Sequence, residues 1–217
     1  MKIQLALDDI TINDAFSLLD QVHNYIDIVE IGTPLIIRDG MAPIREIKKR
    51  YPDLLVLADT KIMDAGAYEA KIAFEAGADM ITVLGVTDTL TIQGCLEAAK
   101  PYSGVVVIDM ICVNNLSEKV KQLESFGVNA LAVHTGVDQQ AAGRTPLDDL
   151  IEIKAASKSS RIFVAGGIGL STINQYFSAG ADVAIIGSGI CKAKAPVLEA
   201  KNIAAALSLS IVKRIEK

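Results

Sequence analysis

Apolar positions fall into eight short runs along this chain: Ile3–Leu7, Ile26–Ile31, Leu54–Ala58, Met80–Leu84, Val105–Met110, Ala130–Val133, Ile162–Ala165 and Val183–Ile186. The segments between them carry apolar residues one helical turn apart, as in Ala15-Leu18-Leu19-Val22, Ile44-Ile47-Lys48-Tyr51 and Val120-Leu123-Phe126. Runs this continuously apolar do not suit strands with one face in water. Strand alternating with helix therefore predicts a parallel sheet covered by helices.

One junction is reused. Phe74-Glu-Ala-Gly-Ala-Asp79, Phe126-Gly-Val-Asn129 and Phe177-Ser-Ala-Gly-Ala-Asp182 each close a helical segment and lead into an apolar run. Glycine can take the left-handed conformation that ends a helix, and Asp or Asn then turns the chain into the sheet. Eight units of roughly 25 residues fit a closed (β/α)8 barrel near the small end of its size range. No linker or low-complexity stretch divides the chain, so residues 1–217 read as one domain. The competing open, doubly wound sheet expects a glycine fingerprint after the first strand, where Leu7-Asp8-Asp9-Ile10 stands instead.

Composition narrows the possible partners. With 51% hydrophobic and 22% charged residues over 217 positions, the chain has material for a large core. A net charge of −5, no Trp and 5% aromatics offer neither a basic stripe nor stacking platforms, which argues against nucleic acid. The first residues enter a strand pattern at Ile3 without the basic and apolar regions of a secretory signal. The late apolar run Ile203–Val212 is too short to span a bilayer and is interrupted by Ser208 and Ser210, so it reads as a core-facing helix and no membrane association is expected. Cys95, Cys112 and Cys191 are odd in number and far apart, which suits buried thiols in a reducing cytoplasm better than disulfides or a metal cage.

In a barrel of this kind, function gathers where strands end at their carboxyl side. Those positions hold Asp8, Glu30, Asp59 with Lys61, Asp109, His134, Gly166-Gly167 and Gly187-Ser188-Gly189. The segment Leu55–Gly66 concentrates the signal, because an apolar run ends in Asp59, Lys61 and Asp64 within six residues. Such charges either form ion pairs, hold a metal or serve chemistry, or else they sit in a solvated turn. Glycine-bearing loops after strands seven and eight, the second opening a helix, are where barrels commonly hold phosphate through backbone N–H groups and a helix dipole. This predicts a phosphorylated substrate, with Gly166, Gly167, Gly187 and Ser188 against its phosphate.

Glu30 and Asp59 close adjacent strands and can converge on a hard cation such as Mg2+, with Mn2+ as an alternative; equally, Glu30 can pair with Lys61 and need no metal. Lys61 as a Schiff-base nucleophile is disfavoured, since neighbouring carboxylates keep an amine protonated. His134 is the candidate general base, being the one side chain at this rim that ordinarily titrates near neutrality. His23, at the end of the first helical segment, reads as a surface residue.

Taken together, Asp8, Val29-Glu30-Ile31-Gly32-Thr33, Ala58-Asp59-Thr60-Lys61-Ile62-Met63-Asp64-Ala65, Asp109-Met110, Val133-His134-Thr135-Gly136 and Ala165-Gly166-Gly167-Ile168 resemble the 3-hexulose-6-phosphate synthase family of the orotidine 5'-phosphate decarboxylase superfamily. The resemblance runs from Lys2 to about Ala200 and rests on the superfamily's Asp-x-Lys-x-x-Asp motif. It implies a Mg2+-dependent aldol addition of formaldehyde to D-ribulose 5-phosphate through an enediolate. In that scheme Lys61 stabilises oxyanion charge, and Asp8, Asp64 and Asp109 orient hydroxyls or move protons. It also implies a homodimer, with Asp64 reaching the neighbouring subunit's site. The related 3-keto-L-gulonate-6-phosphate decarboxylases usually carry arginines where this chain has Val137 and Ser188, which favours the synthase over that alternative; a sugar-phosphate module without catalysis is the third reading.

Overall fold

Period-two alternation within the apolar runs sorts their residues to two sides of a closed sheet. The computed structural model describes residues 1–215, with side chains described through residue 208. Eight strands, β1 (Lys2–Leu7), β2 (Ile28–Ile31), β3 (Leu55–Ile62), β4 (Met80–Leu84), β5 (Val105–Asp109), β6 (Ala130–His134), β7 (Arg161–Ala165) and β8 (Val183–Ile186), pair in parallel and in sequence order, and β8 closes on β1. The predicted (β/α)8 barrel is the observed architecture. Helices α1 (Ile12–Val22), α2 (Thr33–Asp39), α3 (Ala42–Arg50), α4 (Gly66–Glu75), α5 (Thr89–Ala99), α6 (Leu116–Ser125), α7 (Val137–Ala141), α8 (Leu147–Ala156), α9 (Ile173–Ser178), α10 (Ser188–Cys191) and α11 (Pro196–Ile215) surround it.

The core has two layers. Residues such as Leu5, Val29, Val56, Ile81 and Ile108 point outward against the helices. The alternate positions Ile28, Leu57, Met80, Val107, Ala132, Phe163 and Val183 fill the barrel interior. Counting two residues further along the inward face reaches Glu30, Asp59, Thr82, Asp109, His134 and Ala165. Thus the same alternation that packs the barrel turns its interior polar at the carboxyl end of the strands.

The opposite face is tied together by the repeated junctions. Gly77 (φ 102°) and Gly180 (φ 93°) end α4 and α9 in the left-handed region. Asp79 then accepts the N–H of Val56 at 2.8 Å and pairs with Lys48 at 2.7 Å, while Asp182 accepts the N–H of Ile162 at 2.8 Å and pairs with Lys154 at 3.2 Å. Each junction aspartate therefore stitches the strand it opens to the preceding strand.

Three expectations change. β3 does not stop at Ala58 but continues through Ile62, with Ala58 opposite Ile81 and Ile62 opposite Val83. Four steps on β3 against two on β4 make a bulge around Asp59, Thr60 and Lys61. Lys61 takes a left-handed φ of 45°, and Thr82 replaces the missing ladder bonds: its carbonyl accepts the Thr60 hydroxyl at 2.7 Å and its hydroxyl oxygen accepts the Lys61 N–H at 2.9 Å. Second, α10 has only four residues, too short to supply much of a dipole at its start. Third, among the cysteines only Cys95 is buried; Cys112 is exposed in a left-handed turn after β5, and Cys191 is half-buried. In α11, Ile203 and Leu207 are buried as a core-facing helix requires, and the rest of the Ile203–Val212 run beyond residue 208 lies outside the described side chains. No described helix is long and apolar enough to cross a membrane.

Candidate active site

At the carboxyl end of the strands the barrel opens into a cavity of about 1180 Å³. Asp8, Glu30, Asp59, Lys61, Asp109, His134, Gly166, Gly167, Gly187 and Ser188 all line it, so ten of the residues singled out from the sequence meet in one place. Asp64 does not. It is exposed outside the cavity, where its carboxylate accepts the N–H of Ala65 at 2.7 Å.

Asp109, at the end of β5, organises one wall. It accepts from His134 Nδ1 at 2.9 Å, from Lys61 Nζ at 3.1 Å and from the Ile111 N–H at 3.0 Å. Burial by itself would raise its pKa, but the His134 hydrogen bond, the charges of His134 and Lys61 and the Ile111 N–H outweigh it and hold the carboxyl below its ordinary value. A carboxylate can only accept, so His134 Nδ1 carries a proton, and in the neutral imidazole this leaves the Nε2 lone pair for a substrate. Sequence reasoning gave Asp109 the work of orienting hydroxyls or moving protons; its side chain, 3% exposed, lines the cavity and holds the histidine and the lysine.

Asp59 organises the other wall. Its two oxygens accept from Lys61 Nζ at 2.7 and 2.9 Å, from the Thr33 hydroxyl at 2.8 Å and from the Thr82 hydroxyl at 2.8 Å. Burial lowers the Lys61 pKa, yet Asp59 and Asp109 more than reverse this, so the amine is held firmly as the ammonium. That state cannot act as a Schiff-base nucleophile. The sequence-based option of pairing Glu30 with Lys61 is not realised, because the two aspartates take the lysine.

Glu30 is bonded instead to Gln4, whose side-chain amide donates to Oε2 at 2.6 Å. Burial, followed by the charge of Asp59, pushes the Glu30 carboxyl up to about 8, with the Gln4 hydrogen bond working in the opposite direction. Asp8 is also raised, by burial first and then by Asp59. Its Oδ1 occupies the space where a Cβ on Gly32 would sit, at 2.0 Å, which explains a glycine directly after β2.

These residues fit a hard divalent cation. Among the described residues no three His, Cys, Asp or Glu side chains form a cage, but a cation that keeps water and substrate oxygens needs only one or two carboxylates. Two buried carboxylates on neighbouring strands, one of them held near neutral for want of positive charge, are such a donor pair. The Gln4 Oε1 atom is buried with no hydrogen-bond partner among the described residues, a further sign that this floor is incomplete without a ligand or its water.

Gln4 and Thr82 escaped the sequence reading, and Thr33 entered it only within the Val29–Thr33 motif, with no role of its own. The available signal was polarity inside an apolar run: Gln4 interrupts Ile3–Leu7 and Thr82 interrupts Met80–Leu84, each on the inward parity. At the glycine-bearing loops after β7 and β8, Gly167, Ile168 and Ser188 line the cavity, and their N–H groups make no hydrogen bond among the described residues. With α10 so short, an anion there would rely on these N–H groups rather than on a helix dipole.

Residues 1–203 match the family described as orotidine 5'-phosphate decarboxylase / HUMPS. The chain is 46% identical over 193 residues to a Bacillus subtilis protein named 3-hexulose-6-phosphate synthase, covering 89% of this chain and 92% of that one. The crystal structure of 3-hexulose-6-phosphate synthase from Salmonella typhimurium superposes with a TM-score of 0.95 at 51% identity, covering 97% of this chain and all of that one. A 3-keto-L-gulonate-6-phosphate decarboxylase from Vibrio cholerae is more distant, at 26% identity and a TM-score of 0.82 over 95% of this chain and 97% of that one.

Proposed function

The chain belongs to the orotidine 5'-phosphate decarboxylase / HUMPS family, and on that footing we propose that it is a 3-hexulose-6-phosphate synthase, an aldehyde-lyase joining formaldehyde to D-ribulose 5-phosphate to give D-arabino-hex-3-ulose 6-phosphate. The observation that carries this reading over the decarboxylase is the cavity wall at Val137 and Ser188. Neither side chain offers the cation that the decarboxylase pattern places there for positioning water and delivering a proton.

Glu30 and Asp59 would hold Mg2+ or Mn2+, which when bound supplies positive charge for the developing enediolate oxygens. Asp59 already accepts four hydrogen bonds, so it gives up a contact with Lys61 to take this role. Gly166, Gly167, Gly187 and Ser188 hold the phosphate. His134 Nε2 takes a proton from C1 of the ketose, and the C–H electron pair becomes the enediolate. That carbon then attacks formaldehyde, and the carbonyl electron pair moves to oxygen. The oxygen takes the proton back from His134, which returns the base to its starting state. Lys61 faces the oxyanion as a permanent ammonium, and Asp8 orients hydroxyls beside the phosphate loops.

Asp64 serves the site of a second copy in a homodimer. This is supported by its position outside its own cavity and by the exposed apolar side chains of Met63, Tyr68, Val86 and Leu90 on the surrounding segments. Three free thiols are in keeping with a cytoplasmic setting. The deciding experiment assays both candidate reactions side by side with and without Mg2+. Formaldehyde consumption dependent on ribulose 5-phosphate is expected; CO2 release from 3-keto-L-gulonate 6-phosphate without it would favour the decarboxylase, and ligand-induced stabilisation without turnover the binding module.

A further inference from the structure

The cavity is lined by six carboxylates and only two ammonium groups, an unwelcoming place for a phosphate dianion. One ammonium, Lys61, is committed to Asp59 and Asp109. The other is Lys192. It lines the cavity mouth, is exposed, and makes no ion pair among the described residues. Its own N–H donates to the Ser188 carbonyl at 3.0 Å, which sets it one helical turn beyond the glycine loop after β8 and on the same face as Ser188. Its charge acts on Asp8, whose Oδ2 lies 3.3 Å from where a Cβ on Gly187 would stand, without the two forming a bonded pair. Gly167, Ile168 and Ser188 line the same cavity, and their N–H groups make no hydrogen bond among the described residues.

Resting on the sugar-phosphate reading of this site, we propose that Lys192 is the cation that binds the substrate's phosphate, together with the N–H groups of the Gly166-Gly167 and Gly187-Ser188 loops. It supplies from one turn downstream the positive charge that Ser188 lacks. A flexible ammonium binds phosphate as a point charge rather than through a rigid fork, so it can reach the phosphate from the mouth of the cavity.

The test uses the full-length enzyme and its Lys192→Ala, Lys192→Gln and Lys192→Arg variants. Lys192 is solvent-exposed, so unchanged thermal unfolding is expected for all three. Removing the charge should raise KM for ribulose 5-phosphate about tenfold, the scale of a charge-assisted hydrogen bond. The constant for competitive inhibition by inorganic phosphate should rise in parallel, while kcat is nearly unchanged and Lys192→Arg restores most of both. A fall in kcat with KM and phosphate inhibition unmoved would overturn the proposal, since it would place Lys192 behind Asp8 instead. If the unaltered enzyme does not turn over ribulose 5-phosphate, the sugar-phosphate reading fails by itself. Calorimetric titration of inorganic phosphate into the unaltered and Lys192→Ala proteins then still decides the role of Lys192: equal binding by both sinks it.

Discussion

His134 Nδ1 and Asp109 Oδ2 lie 2.9 Å apart, so the acceptor-only carboxylate decides which nitrogen of the imidazole keeps the proton. If the tautomer matters, Asp109→Asn should lower kcat by about 10²- to 10⁴-fold, the range for losing an oriented general base, with a smaller change in KM. His134→Gln should lose a similar amount. The double variant should lose little more than either single one, because the two residues act as a unit. Steady-state kinetics on all three checks this, and additive losses would separate the pair.

Gln4 is the support beneath the proposed metal ligand Glu30. Gln4→Leu removes a 2.6 Å hydrogen bond to a buried carboxylate while nearly conserving volume. The expected result is a metal dissociation constant raised about 10- to 100-fold, as for other residues that orient a ligand from behind. Activity lost to EDTA should return with Mg2+ in the unaltered enzyme, and in Gln4→Leu only at correspondingly higher Mg2+. Titration of Mn2+ followed by electron paramagnetic resonance measures the affinity independently of turnover. Equal affinity in the two proteins would leave Gln4 a packing residue.

Asp64 should complement in trans. Dimers of Asp64→Asn and of His134→Gln, each nearly inactive, should regain about a quarter of normal activity after mixing and subunit exchange, since half the dimers are mixed and each has one intact site. Failure of mixing to restore activity, with exchange verified by mass spectrometry, argues against a shared site.

Glu124 governs acid stability far from the chemistry. It accepts the Ser157 and Ser160 hydroxyls and the N–H groups of Lys158, Ser159 and Ser160 at the entry to β7. Burial alone would raise its carboxyl, but these donors bring it down from 4.5 to about 2. A depressed folded-state pKa stabilises the fold above the unfolded value, so this contribution is complete above about 4.5 and is lost as pH falls from there towards about 2. Glu124→Gln should destabilise by about 1–2 kcal/mol at neutral pH, less than the full shift because solvent reaches the carboxylate. It should also flatten the stability profile in that acid window. Urea unfolding as a function of pH checks both; a parallel profile would show that the hydrogen bonds do not depend on the charge.

Much of this was legible because one alternation does two jobs. The apolar parity that makes Ile28, Leu57 and Val107 interior residues also makes Glu30, Asp59 and Asp109 the next interior positions, so locating strand ends located the cavity. Lys61 and His134 followed for the same reason. The partners did not. Whether Lys61 pairs with Glu30 or with the two aspartates depends on separations across the barrel that no local pattern encodes. Gln4 and Thr82 were concealed by apolar neighbours that made their runs look uniform. The extent of β3 was missed because charge reads as the end of a strand, whereas here the threonine of the neighbouring strand continues the pairing.

That detour in β3 separates two kinds of constraint. Ala58 and Ile62 are matched to fixed partners on β4, but Asp59, Thr60 and Lys61 between them are matched to none of its residues in the pairing register. They are tied to β4 through Thr82 instead, whose carbonyl takes the Thr60 hydroxyl and whose hydroxyl bridges the Lys61 N–H and the Asp59 carboxylate, so the charged groups of the site hang on a side-chain joint set in a frame fixed by the ladder on either side. A chain built this way can keep the joint that positions its charges and acquire a different reaction through substitutions elsewhere on the cavity wall, such as Val137 and Ser188, without first having to re-thread its sheet.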